Sequence, residues 1–224
     1  MEQSVQISAG GVRLEADLAV PPQASGAVLF AHGSGSGRRS PRNRHVAKSL
    51  QARGFATLLL DLLTEEEEWI DERTAQLRFD IPLLAGRLVA AIDWLGRKGA
   101  TESLPIGLFG ASTGGGAALV AAARRPANVA AVVSRGGRPD LAGPALPLVV
   151  APTLLIVGSL DWEVVRLNRQ AMAHMRAETV LELVPGATHL FEEPGALDTV
   201  ARLAGGWFAQ WLGAGVVFSA NGAK

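Results

Sequence analysis

Gly110-Ala111-Ser112-Thr113-Gly114 places a serine between two glycines, after an apolar run (Ile106 to Phe109) and before an alanine-rich one (Thr113 to Arg125). A serine held on a tight strand-to-helix turn is strained and exposed, as a nucleophile must be. The following helix offers free N–H groups to negative charge. Five such letters arise by chance in a chain rich in Ala and Gly; the strand and helix around them select the functional reading. A serine hydroxyl attacks a carbonyl only when a base takes its proton, and histidine suits that role. Four histidines are available. His45 and His174 fall in predicted helices, and His32 ends an apolar strand as a structural donor. His189 lies in the loop Pro185-Gly186-Ala187-Thr188-His189, at a strand's carboxyl end, where open sheets place their sites. Asp161 follows another strand through Gly158-Ser159-Leu160 and is the expected orienter of His189, although its place also suits a helix N-cap. The chain order Ser112, Asp161, His189 is the order that accompanies this kind of turn.

The charge that develops on an attacked carbonyl oxygen needs backbone donors. The Thr113 N–H is one. The second is expected from His32-Gly33-Ser34, with Ser34 as the choice and Gly33 and Gly35 as close rivals. That glycine-rich loop lacks Gly-Lys-Ser/Thr and is not Gly-x-Gly-x-x-Gly, which argues against a nucleotide cradle. Arg135 and Arg138 follow a strand's carboxyl end and are the candidate substrate-binding residues, each able to grip a carboxylate bidentately. Arg38, Arg39, Arg42 and Arg78 are weaker candidates.

These side chains must be held by elements legible in the pattern. Val5 to Ile7 and Val12 to Val20 read as a hairpin around Gly10-Gly11. Ala27 to Ala31, Phe55 to Leu63, Ile106 to Phe109, Val129 to Val133, Thr153 to Val157 and Thr179 to Val184 read as strands, several of them continuously apolar, as in a sheet covered on both faces. Between them run helices: Asn43 to Arg53; one opened by a Thr64/Glu67 capping box; one capped by Asp80, with the stripe Ile81, Leu84, Leu88, Ile92, Leu95; Thr113 to Arg125; Trp162 to Met175; and a last one to Leu212 with Val200, Leu203, Trp207 and Trp211 inward. Glu65 to Glu68 reads as a solvated helix start, and Trp69 as a cover for the site or an anchor for that helix. Alternation of strand and helix predicts an α/β fold with an eight-stranded, mostly parallel sheet and helices on both faces. Residues 1–212 are expected to form a single domain, and 213–224 a flexible tail. Ser134 to Ala151 and Leu62 to Phe79 are the two candidate segments for a cover over the site; both are short, and Ser134 to Ala151 reads as a loop with at most one helical turn.

Composition sets limits. The chain has 224 residues, 48% apolar and 19% charged, with 21 basic against 21 acidic side chains. That balance excludes nucleic-acid binding driven by charge. The absence of cysteine removes disulfides and thiolate chemistry. No stretch reaches the roughly 18 apolar residues of a membrane span. Met1 to Gly11 lacks a basic segment followed by an apolar run, so a cytoplasmic location is expected. The sequence carries no signature of an oligomeric state.

Phe30-Ala31-His32-Gly33-Ser34-Gly35, the serine turn, Leu155-Ile156-Val157-Gly158 leading to Asp161, and Gly186-Ala187-Thr188-His189 together resemble the α/β-hydrolase superfamily. Within it, the chain is most similar to dienelactone hydrolase-type proteins over nearly its whole length. It departs from the best-known of these at the centre, where they carry cysteine and position 112 is serine. The resemblance implies an enzyme acting on small esters or lactones, with no cofactor and no metal. Peroxide, a thioester or an amide would engage the same triad as perhydrolase, thioesterase or amidase chemistry, and a non-catalytic binding role on the same scaffold is the rival of a different class.

Overall fold

The computed structural model describes residues 2–213. The tail expected over 213–224 lies, from 214 on, outside them. The eight strands are β1 (Glu2–Ala9), β2 (Val12–Ala19), β3 (Gly26–Ala31), β4 (Phe55–Leu60), β5 (Ile106–Ala111), β6 (Val129–Arg135), β7 (Thr153–Gly158) and β8 (Thr179–Val184). They form one sheet in the order β1-β2-β4-β3-β5-β6-β7-β8. β2 runs antiparallel to both β1 and β4, and every pairing from β4 to β8 is parallel. The helices are α1 (Pro41–Ala52), α2 (Glu65–Thr74), α3 (Ile81–Leu95), α4 (Thr113–Arg124), α5 (Trp162–Met172) and α6 (Ala196–Leu212).

Burial explains the strand pattern. Every residue of β3, β4, β5, β6 and β7 is buried, because both faces of the sheet centre are covered. β2 instead alternates, with Leu14, Ala16 and Leu18 inward and Arg13, Glu15 and Asp17 on the other face. On one face α1 and α6 cover Val28, Phe30, Phe55 and Phe109. On the other, α3 and α4 cover Leu14, Leu18, Leu29, Leu58 and Leu108. The Ile81, Leu84, Leu88, Ile92, Leu95 stripe is buried as expected, and each such side chain contributes about 1.5–3 kcal/mol. In α6 the fully buried line is Val200, Ala204, Phe208, Leu212, with Trp207 beside it. Leu203 and Trp211 lie only at its margin, so the inward face is turned by about one residue from the expected one.

Several boundaries also differ from the sequence reading: β4 ends at Leu60 rather than Leu63, and α5 at Met172 rather than Met175. α1 starts at Pro41, because Ser40 accepts the Asn43 N–H and proline suits a helix's first turn. The segment between β6 and β7 holds a ten-residue 3₁₀ stretch, Pro139–Leu148, kinked at Gly143, where a single helical turn was expected. It packs on α4 and α5. Among the described residues there is no separate lid domain, and no helix is long and apolar enough to cross a membrane.

Candidate active site

The strand order creates a crevice. β3 and β5 are parallel neighbours, but β3 leads into α1 on one face and β5 into α4 on the other. Their departing loops therefore separate at the carboxyl ends, where doubly wound sheets hold ligands. Ser112 stands there, with φ 51° and ψ −123° between β5 and α4. Its carbonyl accepts the N–H groups of Gly115 and Arg138, both at 3.0 Å, and its own N–H donates to the Arg135 carbonyl at 3.3 Å. Three backbone bonds thus hold a conformation a non-glycine residue otherwise avoids. Gly114 lets the next loop close in: a Cβ there would fall 2.3 Å from the Ala31 oxygen and 2.4 Å from that of His32.

Asp161 and His189 follow the adjacent strands β7 and β8. The His189 Nδ1–H donates to Asp161 Oδ2 at 2.6 Å. A carboxylate only accepts, so the neutral ring carries its proton on Nδ1 and leaves Nε2 as an acceptor. The Asp161 side chain makes no N-cap bond to α5, so the alternative use of this residue is not taken. The loop bearing His189 is tied at several points. Ser159 Oγ accepts the Gly186 N–H at 2.8 Å, and the Ala187 carbonyl accepts the Leu160 N–H at 3.0 Å. Thr188 donates both its N–H and its hydroxyl to Glu193. Gly158 allows the approach, since a Cβ there would lie 2.4 Å from the Ala187 oxygen.

On the opposite side, the loop after β3 closes on Ser112. The Cβ position of Gly33 is 2.9 Å from the Ser112 Cβ, and Ser34 Oγ lies 3.2 Å from Thr113 Oγ1. Thr113 opens α4, so its N–H has no acceptor within the helix. A cleft of about 950 Å³ opens here, lined by Gly33, Ser34, Thr113, Arg42, Glu65 and Glu68 among others.

His32, at the end of β3, is buried and uses both ring nitrogens. Nε2 accepts the Leu62 N–H at 2.8 Å, and Nδ1–H donates to the Gly33 carbonyl at 2.9 Å. It is an acceptor as well as the donor expected from sequence. Burial lowers its pKa, against smaller upward pulls from the Gly33 bond and Asp61. Unfolded, the ring protonates near 6.5. Below that value the unfolded chain binds the extra proton and the folded one resists it, so stability supplied by this group is full above about pH 6.5 and is lost as pH falls. The denaturant midpoint is expected to drop between pH 7 and 5, and to drop less in His32→Gln, whose amide keeps a donor and an acceptor without titrating. Equal slopes in both proteins would exclude His32 as the cause.

The arginines divide. Arg138 is bound to Asp140 at 2.7 and 2.8 Å, which occupies the fork expected to hold substrate. Arg38 pairs with Asp61 and Arg78 with Asp71. Arg42 reaches Glu192 at 3.2 Å. Arg135 is buried, and among the described residues it has no carboxylate partner. The Thr64/Glu67 capping box is present, but Glu65 to Glu68 is not simply solvated. Glu67 pairs with the buried Arg87, which also donates to the Leu62 carbonyl and which the sequence reading did not single out. Glu65 and Glu68 face the cleft. Burial raises the pKa of Glu68, helped by Asp61 and Glu72. Trp69 is exposed, with Arg73 stacked 3.7 Å above its ring, and does not line the cleft.

The profile of the dienelactone hydrolase family matches residues 14–208. A dienelactone hydrolase from Anabaena variabilis is 60% identical, with a TM-score of 0.92 over 94% of this chain and 98% of that one. Est1E from Butyrivibrio proteoclasticus is 16% identical and shares the fold, with a TM-score of 0.77 over 93% of this chain and 98% of that one. Mycobacterium tuberculosis proteins named provisionally as phosphoribosyl transferases are 57% identical over 211 residues, which are 94% of this chain and 47% of theirs. The chain thus spans about half the length of those relatives.

Proposed function

The chain belongs to the dienelactone hydrolase family, and from that premise we propose that it is a serine hydrolase cleaving small carboxylic esters or lactones through an acyl-enzyme on Ser112. One observation carries the reading: a serine at φ 51° on the strand-to-helix turn, in the same rim of loops as a His189–Asp161 pair joined at 2.6 Å. Ser112 Oγ attacks the carbonyl carbon while His189 Nε2 accepts its proton. The Thr113 and Ser34 N–H groups hold the oxyanion. Collapse breaks the acyl–oxygen bond, and His189 returns the proton to the departing alkoxide. A lactone's alkoxide stays tethered to the acyl group. Water then attacks, deprotonated by His189, and the carboxylic acid leaves with Ser112 restored.

Serine in the place of cysteine makes the base indispensable, since a hydroxyl is far less acidic than a thiol. The mycobacterial relatives' name describes proteins of which this chain spans about half, whereas a serine–histidine–aspartate set is suited to acyl transfer. The absence of a separate lid among the described residues and the open cleft favour small substrates.

A fluorophosphonate probe is expected to label the protein once, on the peptide containing Ser112, and labelling is expected to run parallel with loss of 4-nitrophenyl acetate hydrolysis. Labelling on another peptide, or undiminished hydrolysis after full labelling, would overturn the assignment.

A further inference from the structure

Phe191 stands two residues beyond His189, with its backbone at φ 56°. A bulky side chain rarely takes that conformation, which persists only where its surroundings impose it. Among the described residues, the other non-glycine positions with positive φ are Gln23 and Ala75, both exposed, and Ser112. The Phe191 ring is only 2% exposed and joins Val184, Ala187, Ala196 and Val200 in the core on the α6 side of the sheet. Its N–H donates to the Thr188 carbonyl at 3.3 Å, so His189 and Leu190 form the corner of a tight turn. Glu193 holds the Thr188 end of that turn, and the buried Phe191 ring anchors the other.

The ring meets the carboxyl end of β6. A Cβ at Gly136 would fall 3.3 Å from ring Cε2, 3.2 Å from the His189 carbonyl oxygen and 3.7 Å from His189 Cε1, so a side chain there would crowd the whole turn. The Arg135 guanidinium carbon lies 5.8 Å from the ring centre. The same segment holds the nucleophile: the Ser112 N–H donates to the Arg135 carbonyl, and the Ser112 carbonyl accepts the Arg138 N–H. The segment is itself fixed to β7, where the Gly136 N–H donates to the Ile156 carbonyl at 2.7 Å. Nucleophile and base are thus referred to one strand end, the serine by backbone bonds and the histidine by the ring. A side chain that only filled the core would need no left-handed backbone, and a turn that only needed φ 56° would be served by glycine without strain. Phe191 combines the strained turn with the buried ring.

Resting on the serine-hydrolase reading, we propose that Phe191 is a positioning residue: its ring, seated on Gly136 beside Arg135, holds the His189 turn in register with Ser112. It touches no reacting atom. It acts through His189, by fixing where Nε2 stands when the serine proton is taken.

The test compares Phe191→Leu and Phe191→Gly with Phe208→Leu, all assayed with 4-nitrophenyl acetate at a temperature where each is folded. Phe208 is buried in the same cluster but packs on Phe55 and on Gly107 near the amino end of β5, away from the site. It therefore reports what the loss of a core ring does by itself. Both Phe191 variants are expected to lose about 10²-fold in kcat, the cost of a base misplaced by about 1 Å. Their KM is expected to stay within about twofold, because the ring does not touch substrate. Phe208→Leu is expected to keep kcat within about twofold. Phe191→Gly separates ring from backbone, since it relieves the strain at φ 56° and is still expected to be slow. Phe191→Met replaces these variants should neither fold. Crystal structures of wild type and Phe191→Leu form an arm that does not depend on turnover, with His189 expected to shift by about 1 Å relative to Ser112. An unmoved kcat, a change in KM alone, an equal loss in Phe208→Leu, or a His189 that stays in place overturns the proposal. Absent labelling of Ser112 in wild type overturns only the hydrolase reading, because the position of His189 still decides Phe191.

Discussion

Replacing Ser112 by alanine is expected to lower kcat/KM for a short-chain ester by about 10⁴-fold or more, because the attacking hydroxyl is removed while the fold and the His189–Asp161 pair remain. Stability is expected to respond in the other direction when glycine is used. At φ 51° and ψ −123° a residue with a Cβ stores about 1–3 kcal/mol. Alanine keeps that strain and leaves the melting temperature within about 2 °C. Glycine releases it, at a backbone entropy cost of about 0.5–1 kcal/mol. The net gain of about 1 kcal/mol predicts a rise of about 2–4 °C in Tm for Ser112→Gly, with activity as low as in Ser112→Ala. Calorimetry and kinetics on the two variants check this. A glycine variant less stable than wild type would show that the turn is relaxed, and a variant retaining turnover would move the nucleophile elsewhere.

The elements that sequence reading located best are those whose environment repeats along the chain. β3, β4 and β7 are apolar at nearly every position because both faces are covered, and that leaves a contiguous mark. The serine turn is equally local, with all its determinants within five residues. Asp161 and His189 are 28 residues apart, yet each follows a legible strand, and topology brings the loops together. What escaped was pairing and phase. Pro144, Pro147 and the positive φ of Gly143 conceal the 3₁₀ stretch, since they break the periodicity by which a helix is recognised. Arg87 reaches Glu67 across 20 positions, so the ion pair has no sequence spacing to announce it. The cap at Thr64 was readable, but the winding of α2 decides that Glu67 turns to Arg87 while Glu65 and Glu68 face the cleft. In α6 small residues share the buried face, and ranking by size favoured Leu203 and Trp211 over Ala204. The burial of Arg135 with no partner among the described residues is the least legible feature, because a missing partner leaves no pattern at all.

Asp161→Asn is expected to lower kcat by about 10³–10⁴-fold while the fold stays intact. Among the described residues the carboxylate has one side-chain partner, His189 Nδ1 at 2.6 Å. An asparagine amide presenting its NH₂ there requires a lone pair on Nδ1, which moves the ring proton to Nε2. The nitrogen facing the serine then has no lone pair to accept with, and attack loses its base. Stability follows a different logic. The bonds that shape the turn come from the Asp161 backbone: its N–H donates to the Gly158 carbonyl, and its carbonyl accepts the Val165 N–H. Neither depends on the side chain, and α5 lacks a side-chain cap to lose. Asp161→Asn and Asp161→Ala are therefore both expected to melt within about 2 °C of wild type, where a lost N-cap would remove about 1 kcal/mol and about 2–4 °C. The pH profile separates tautomer from distortion. Wild-type kcat/KM is expected to rise with pH through one ionisation and level off, as the imidazole becomes free to accept. In the asparagine variant that plateau is expected to vanish, leaving a rate that climbs with hydroxide. Near-normal turnover in Asp161→Asn, or a wild-type profile flat from acid to alkali, would remove the pair from the mechanism. Ser112 would then lack an activator, since His32 already spends Nε2 on Leu62 and Nδ1 on Gly33.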